Sequence, residues 1–159
     1  MPVLEETRYT AQEAHKYFAV CLFNFVWSLL DQDQRTEEEE DRMLHAAHAS
    51  RYHWGVVGQP SNLGIGEWQI SRVYAVLGRA EPSHYHAQKY LDLAVKHELG
   101  AFHLGFAYEA LARAAAVAGN HADRDRFLAL AREQVNAIPD QEDRELLISD
   151  LATIPGSSA

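Results

Sequence analysis

The chain has 159 residues, 47% of them hydrophobic, which is typical of one compact globular domain over residues 1–159. Its formal net charge of −9 argues against a nucleic-acid or anionic-membrane partner, because both are themselves negatively charged. The single cysteine, Cys21, allows no disulfide within the chain, and its apolar neighbours indicate a buried thiol. We therefore expect a cytoplasmic protein.

Capping boxes mark the first two helices. In this motif the N-cap hydroxyl and the carboxylate three residues later each bind a backbone amide. The first helix is expected to reach about Asp31 with apolar residues nearly all the way round, and the second to reach about Trp54. The two capping boxes are Thr10-x-x-Glu13 and Thr36-x-x-Glu39.

Glycine and proline mark the ends of the later helices. Gly55 to Pro60 is expected to break the chain, Gly78 and Gly119 fall where helices should stop, and Pro139 precedes a last helix. No stretch indicates a strand with comparable strength. The sequence predicts an all-α fold of about seven helices, paired as antiparallel hairpins. The expected pairs span about 10–54, 62–97 and 101–137, and a closing helix spans about 140–154.

The first helices of the three pairs share a spacing of large apolar, small or short polar, and filler residues. The pattern appears in Val20-x2-Phe23-Asn24-x2-Trp27-x2-Leu30, in Glu67-x2-Ile70-Ser71-x2-Tyr74-x2-Leu77 and in Tyr108-x2-Leu111-Ala112-x2-Ala115-x2-Ala118. It resembles a degenerate tetratricopeptide repeat, a family in which helix pairs stack side by side. An ordinary helical bundle with chance hairpin similarity is the alternative.

The resemblance implies a short right-handed array whose first helices line a concave face that binds a peptide or protein. Trp68, Arg72, Glu109 and Arg113, with Phe25 from the first helix, are the expected partner-binding residues, since Trp and Arg dominate interface energetics. An internal Arg72–Glu109 ion pair, with Trp68 packed beside it, is the alternative interpretation. The whole expected face comprises Cys21, Phe25, Ser28, Ile65, Trp68, Arg72, Ala75, Phe106, Glu109, Arg113 and Ala116.

Nine histidines are many for this length and raise the question of a metal site. Asp41, His45 and His48 fall at i, i+4 and i+7 on one helix face, and two imidazoles with a carboxylate suit a divalent transition metal. A solvated helix face is the alternative. Glu67 stands where the repeat has a large apolar residue, so if it is buried it should pair with an Arg or a His.

No G-x-S-x-G, P-loop or G-x-G-x-x-G motif appears in the sequence. The sequence therefore favours a non-enzymatic binding or scaffold protein without a cofactor. The alternative is a small metal- or ligand-binding helical protein, or a hydrolytic enzyme, with a site lined by His, Asp and Glu. A third hypothesis is a homodimer formed through the concave face.

Overall fold

A computed structural model of the chain describes residues 8–157. Across that range the fold is all-α, with seven helices and no strand, as the sequence predicts. The helices are α1 (Ala11–Leu30), α2 (Glu37–Val57), α3 (Pro60–Val76), α4 (Ala80–Lys96), α5 (Ala101–Val117), α6 (His121–Val135) and α7 (Gln141–Ala152).

Local sequence sets most of the helix ends. Both capping boxes are present, with Thr10 and Thr36 as the N-caps of α1 and α2. The break expected between Gly55 and Pro60 falls at residues 58 and 59, because α2 continues three residues past the expected end at about Trp54, to Val57. Pro60 is the first residue of α3, a position where proline loses no helical hydrogen bond.

Consecutive helices pack as three antiparallel hairpins, α1–α2, α3–α4 and α5–α6, and α7 closes the array against α5 and α6. Contacts also join α1 to α3, α3 to α5 and α5 to α7. The first helix of each hairpin and α7 therefore form one layer in the order α1, α3, α5, α7, which we call the first-helix layer.

Two apolar clusters form the core. Val26, Met43 and Ile70 belong to the cluster between α1, α2 and α3, whereas Leu111 and Leu147 belong to the cluster around α5 and α7. Small residues on α5 let its neighbours approach closely, and α7 is held by apolar contact on the side it turns to α5.

Two further observations concern the surface. Cys21 is exposed, so the expected buried thiol is wrong. Within residues 8–157, none of the helices combines the length and the apolar character needed to cross a bilayer.

Candidate functional site

An aromatic groove of about 410 Å³ lies across the first-helix layer. Each of its four helices contributes residues one turn apart, and Tyr90 of α4 completes the lining. Six of the nine lining residues are aromatic and only one is charged. The residues of this aromatic groove are Phe23, Trp27, Ile65, Trp68, Tyr90, Phe102, Phe106, Leu146 and Asp150.

The rings of the groove pack on one another across helix boundaries. The ring centroids of Trp27 and Trp68 are 5.5 Å apart, and those of Trp68 and Phe106 are 5.7 Å apart in an edge-to-face arrangement. Phe102 and Phe106 continue the series along α5 with a centroid distance of 4.8 Å. Such tilted and edge-to-face contacts favour a fixed ring geometry, so the groove is largely pre-formed.

A smaller cavity of about 190 Å³ extends the groove toward the α2–α3 connection. It shares Phe23 and Ile65 with the aromatic groove and adds Val20, Trp54 and Asn62. The chain contains three tryptophans, and all three line this continuous surface.

A buried charge network lies next to the groove and begins at Trp68. The Trp68 indole Nε1–H donates to the Glu109 Oε2 at 2.8 Å. The other oxygen of Glu109 accepts from Arg72 Nη2 at 3.1 Å and from Arg113 Nε at 2.8 Å, and the Glu109 side chain is 0% exposed. Burial disfavours the charged carboxylate, yet the guanidinium groups of Arg72 and Arg113 hold the pKa of Glu109 below its usual value.

Asp150 of α7 connects the network to the groove. Its Oδ2 accepts from Arg72 Nη2 at 3.2 Å, and its backbone carbonyl accepts from Arg113 Nη2 at 3.1 Å. Arg113 Nη2 also donates to the Thr153 hydroxyl at 2.7 Å. Burial raises the pKa of Asp150, with the Arg72 charge opposing that shift. We call Arg72, Glu109, Arg113 and Asp150 the charge network, and it ties α3, α5 and α7 together.

The structure brings four of the five predicted partner-binding residues together. Trp68 lines the groove, whereas Arg72, Glu109 and Arg113 form the internal ion pairs that the alternative interpretation expected. Phe25 lies elsewhere, because it packs against the cluster between α1, α2 and α3 with the Arg42 guanidinium 5.5 Å from its ring centroid.

Sequence reasoning missed six of the nine lining residues of the groove, namely Phe23, Trp27, Tyr90, Phe102, Leu146 and Asp150. Three pairs of lining residues are spaced i, i+4 along their helices, which puts both side chains of a pair on one helix face. The pairs are Phe23 and Trp27, Phe102 and Phe106, and Leu146 and Asp150. The closing helix was not expected to form a wall of the site, so neither of its lining residues was considered. The missed residues that matter most are Trp27, Phe102, Leu146 and Asp150.

The predicted metal ligands do not converge. His45 Nε2 lies 3.5 Å from Asp41 Oδ1 on the exposed surface, whereas His48 Nε2 lies 3.0 Å from the Tyr74 hydroxyl of α3. Burial, together with the nearby His86, lowers the pKa of His48. Among residues 8–157, no group of three or more His, Cys, Asp or Glu side chains has a metal-binding arrangement. Metal binding at these residues stays a prediction, which the metal content of untagged protein and of the His45→Ala variant would test.

Glu67 is buried and paired, as expected for a carboxylate at a core position. Its Oε1 accepts from Arg51 Nε at 2.9 Å and its Oε2 lies 2.6 Å from His86 Nδ1, with the Glu67 side chain 4% exposed. Although burial disfavours ionisation, the His86 hydrogen bond and the Arg51 charge lower the pKa of Glu67. Both oxygens are occupied, so Glu67 acts here as an ion-paired junction between α2, α3 and α4.

Comparison with known proteins adds no relative: no family model, no curated protein and no solved structure matches the chain. Function is therefore inferred from the geometry of the aromatic groove and of the charge network beside it.

Proposed function

We propose that the chain is a non-enzymatic binding protein whose aromatic groove takes the apolar side chains of a peptide or protein segment. The observation that carries the proposal is a pre-formed groove with six aromatic residues among nine, crossing all four helices of the first-helix layer. A tetratricopeptide-like array would bind its partner on this layer, and the same proposal includes a cytoplasmic location.

Energetics favour apolar anchoring in this groove. Leu146 is 52% exposed on the groove wall, so a partner side chain that covers it removes apolar surface from water. Aromatic residues in a central, desolvated position are the typical hot spots of protein interfaces. Tyr90 and Asp150 are the ionisable lining residues, and burial raises the pKa of both. The Tyr90 hydroxyl lies 2.8 Å from His103 Nδ1, and the Asp150 carboxylate pairs with Arg72, so both groups are held within the fold.

A second candidate function, binding of a small apolar molecule, is favoured by the groove volume. About 410 Å³ falls within the range of roughly 300–1,000 Å³ that is usual for small-molecule sites. The extension beyond Phe23 and Ile65 favours the peptide, because it lengthens the surface along α1 and α3.

Selection of random 12-residue peptides displayed on phage tests the proposal, and α7 offers a matched pair of variants. Leu146 and Ile148 are each 52% exposed, but only Leu146 lines the groove. We expect selected peptides to carry aromatic or large aliphatic residues and to bind the wild type and Ile148→Gln equally. Leu146→Gln should bind about tenfold more weakly, as loss of part of a buried leucine contact predicts.

Two results would overturn the proposal. One is selection that yields no binding peptide, and the other is a set of peptides that bind Leu146→Gln as tightly as the wild type. If no peptide is selected and the neutral probe N-phenyl-1-naphthylamine binds the wild type but not Leu146→Gln, the small-molecule candidate replaces the peptide.

A further inference from the structure

The only charged residue among the nine that line the aromatic groove is Asp150. Its side chain accepts a hydrogen bond from Arg72 at Oδ2, and a carboxylate has lone pairs for several donors, so it can accept a further hydrogen bond. Glu142, Leu146 and Asp150 are spaced i, i+4 and i+8, which places them on one line along α7. Glu142 is exposed, so the α7 wall presents an acidic, an apolar and an acidic side chain in succession.

The two arginines of the charge network are less exposed than the Asp150 carboxylate that they pair with or lie beside. Arg113 is 9% exposed and is turned to Glu109, Thr153 and the Asp150 backbone. The Arg72 side chain is 13% exposed and is shared between Glu109 and Asp150. The Asp150 side chain is the most exposed of the four at 20%, so the carboxylate is the member that a bound segment reaches.

A wholly apolar occupant would remove the remaining water from Asp150 without replacing its hydrogen bonds. Arg72 stays as the partner of Oδ2, but the exposed part of the carboxylate would lose its water without gaining another donor, which is unfavourable, and an anionic occupant would add repulsion. A cationic donor restores the lost hydrogen bond, and the Trp27 ring attracts positive charge as well. The Trp68 ring already holds the Arg72 guanidinium 5.2 Å from its centroid. The chain's net charge of −9 also attracts basic segments from a distance.

We propose that the peptide segment bound in the aromatic groove carries a lysine or arginine beside its apolar anchor, and that Asp150 accepts a hydrogen bond from this cation. The proposal rests on the proposed function and specifies its partner. It predicts that the groove discriminates by charge as well as by apolar surface.

The test uses the peptides selected on the wild-type protein. Each is synthesised with its basic residue kept, replaced by norleucine, or replaced by glutamate, and affinities are measured by calorimetry. We expect a lysine or arginine within about four residues of the anchor, and about tenfold weaker binding with norleucine. Asp150→Asn should reduce that preference to less than about twofold. Glu133→Gln is the control, since it changes the net charge equally at an exposed position of α6 outside the groove.

Selected peptides that depend on Leu146 but lack a basic residue, or bind equally well with norleucine, would overturn this inference while leaving the proposed function intact. A basic preference that survives in Asp150→Asn would overturn it too. Peptides that ignore Leu146 would instead overturn the proposed function.

If Asp150→Asn does not fold, the salt dependence of peptide binding to the wild-type protein tests the proposal instead. Binding of the lysine peptide should weaken between 50 mM and 500 mM NaCl while the norleucine peptide is unaffected. Equal salt dependence of the two peptides would contradict the assignment of Asp150.

Discussion

Replacing Glu109 with glutamine tests the charge network on which the groove depends. The Glu109 side chain is 0% exposed and accepts hydrogen bonds from Trp68, Arg72 and Arg113. Glutamine keeps the shape of the side chain but removes its charge, which leaves two guanidinium groups with Asp150 as their remaining anionic partner. Removing one partner of a buried ion pair costs about 3–5 kcal/mol, so we expect the free energy of unfolding to fall by about 4 kcal/mol.

Urea unfolding followed by far-ultraviolet circular dichroism measures this change. With a slope of about 2 kcal/mol per molar urea, the midpoint should fall by about 2 M. The melting temperature should fall by about 10 °C, given a shift of roughly 2–4 °C per kcal/mol at this chain length. Glu133→Gln, at an exposed position, should stay within about 0.5 kcal/mol of the wild type. A loss below about 1 kcal/mol for Glu109→Gln would refute the view that Glu109 is the centre of the network.

Two further predictions concern packing and pH. Gly64→Ala should destabilise the fold by about 1–3 kcal/mol, because its Cβ would lie 2.6 Å from the ring of Tyr90. Gly55→Ala should stabilise the fold by up to about 1 kcal/mol, because its Cβ would meet only the end of the flexible Arg51 side chain. Equal effects of the two substitutions on urea unfolding would contradict this prediction. Partial loss of water lowers the folded-state pKa values of His48 and His103 below 6.5, so the unfolded chain binds more protons. The melting temperature should therefore fall as the pH drops from 7.5 to 5.5, and a flat profile by thermal circular dichroism would be inconsistent with these lowered pKa values.

The helix starts were readable from the sequence because capping is local. The Thr10 and Thr36 boxes involve residues three apart, and both form as expected. The break expected between Gly55 and Pro60 occurs at residues 58 and 59, past Gly55, since a glycine is tolerated inside a helix at a modest cost. Helix pairing also followed from the pattern, because short connections force neighbouring helices to pack antiparallel.

The candidate site was only partly readable, for reasons of helix orientation and long-range contact. The helix α1 has apolar residues nearly all the way round, so its sequence does not fix which side faces α3. Phe25 was therefore expected on the groove, which Phe23 and Trp27 occupy. Asp150 contacts Arg72 across 78 positions of the chain, and no local pattern indicates such a contact.

The binding role of the aromatic groove is tested most directly at its three tryptophans. In protein labelled with ¹⁵N at the indole nitrogens, each of Trp27, Trp54 and Trp68 gives one Nε1–H signal, assigned by single Trp→Phe variants. Titration with a selected peptide should shift the Trp27 and Trp68 signals, since both rings line the groove. Peptide binding detected by calorimetry without movement of any indole signal would place the partner elsewhere and contradict the assignment of the groove.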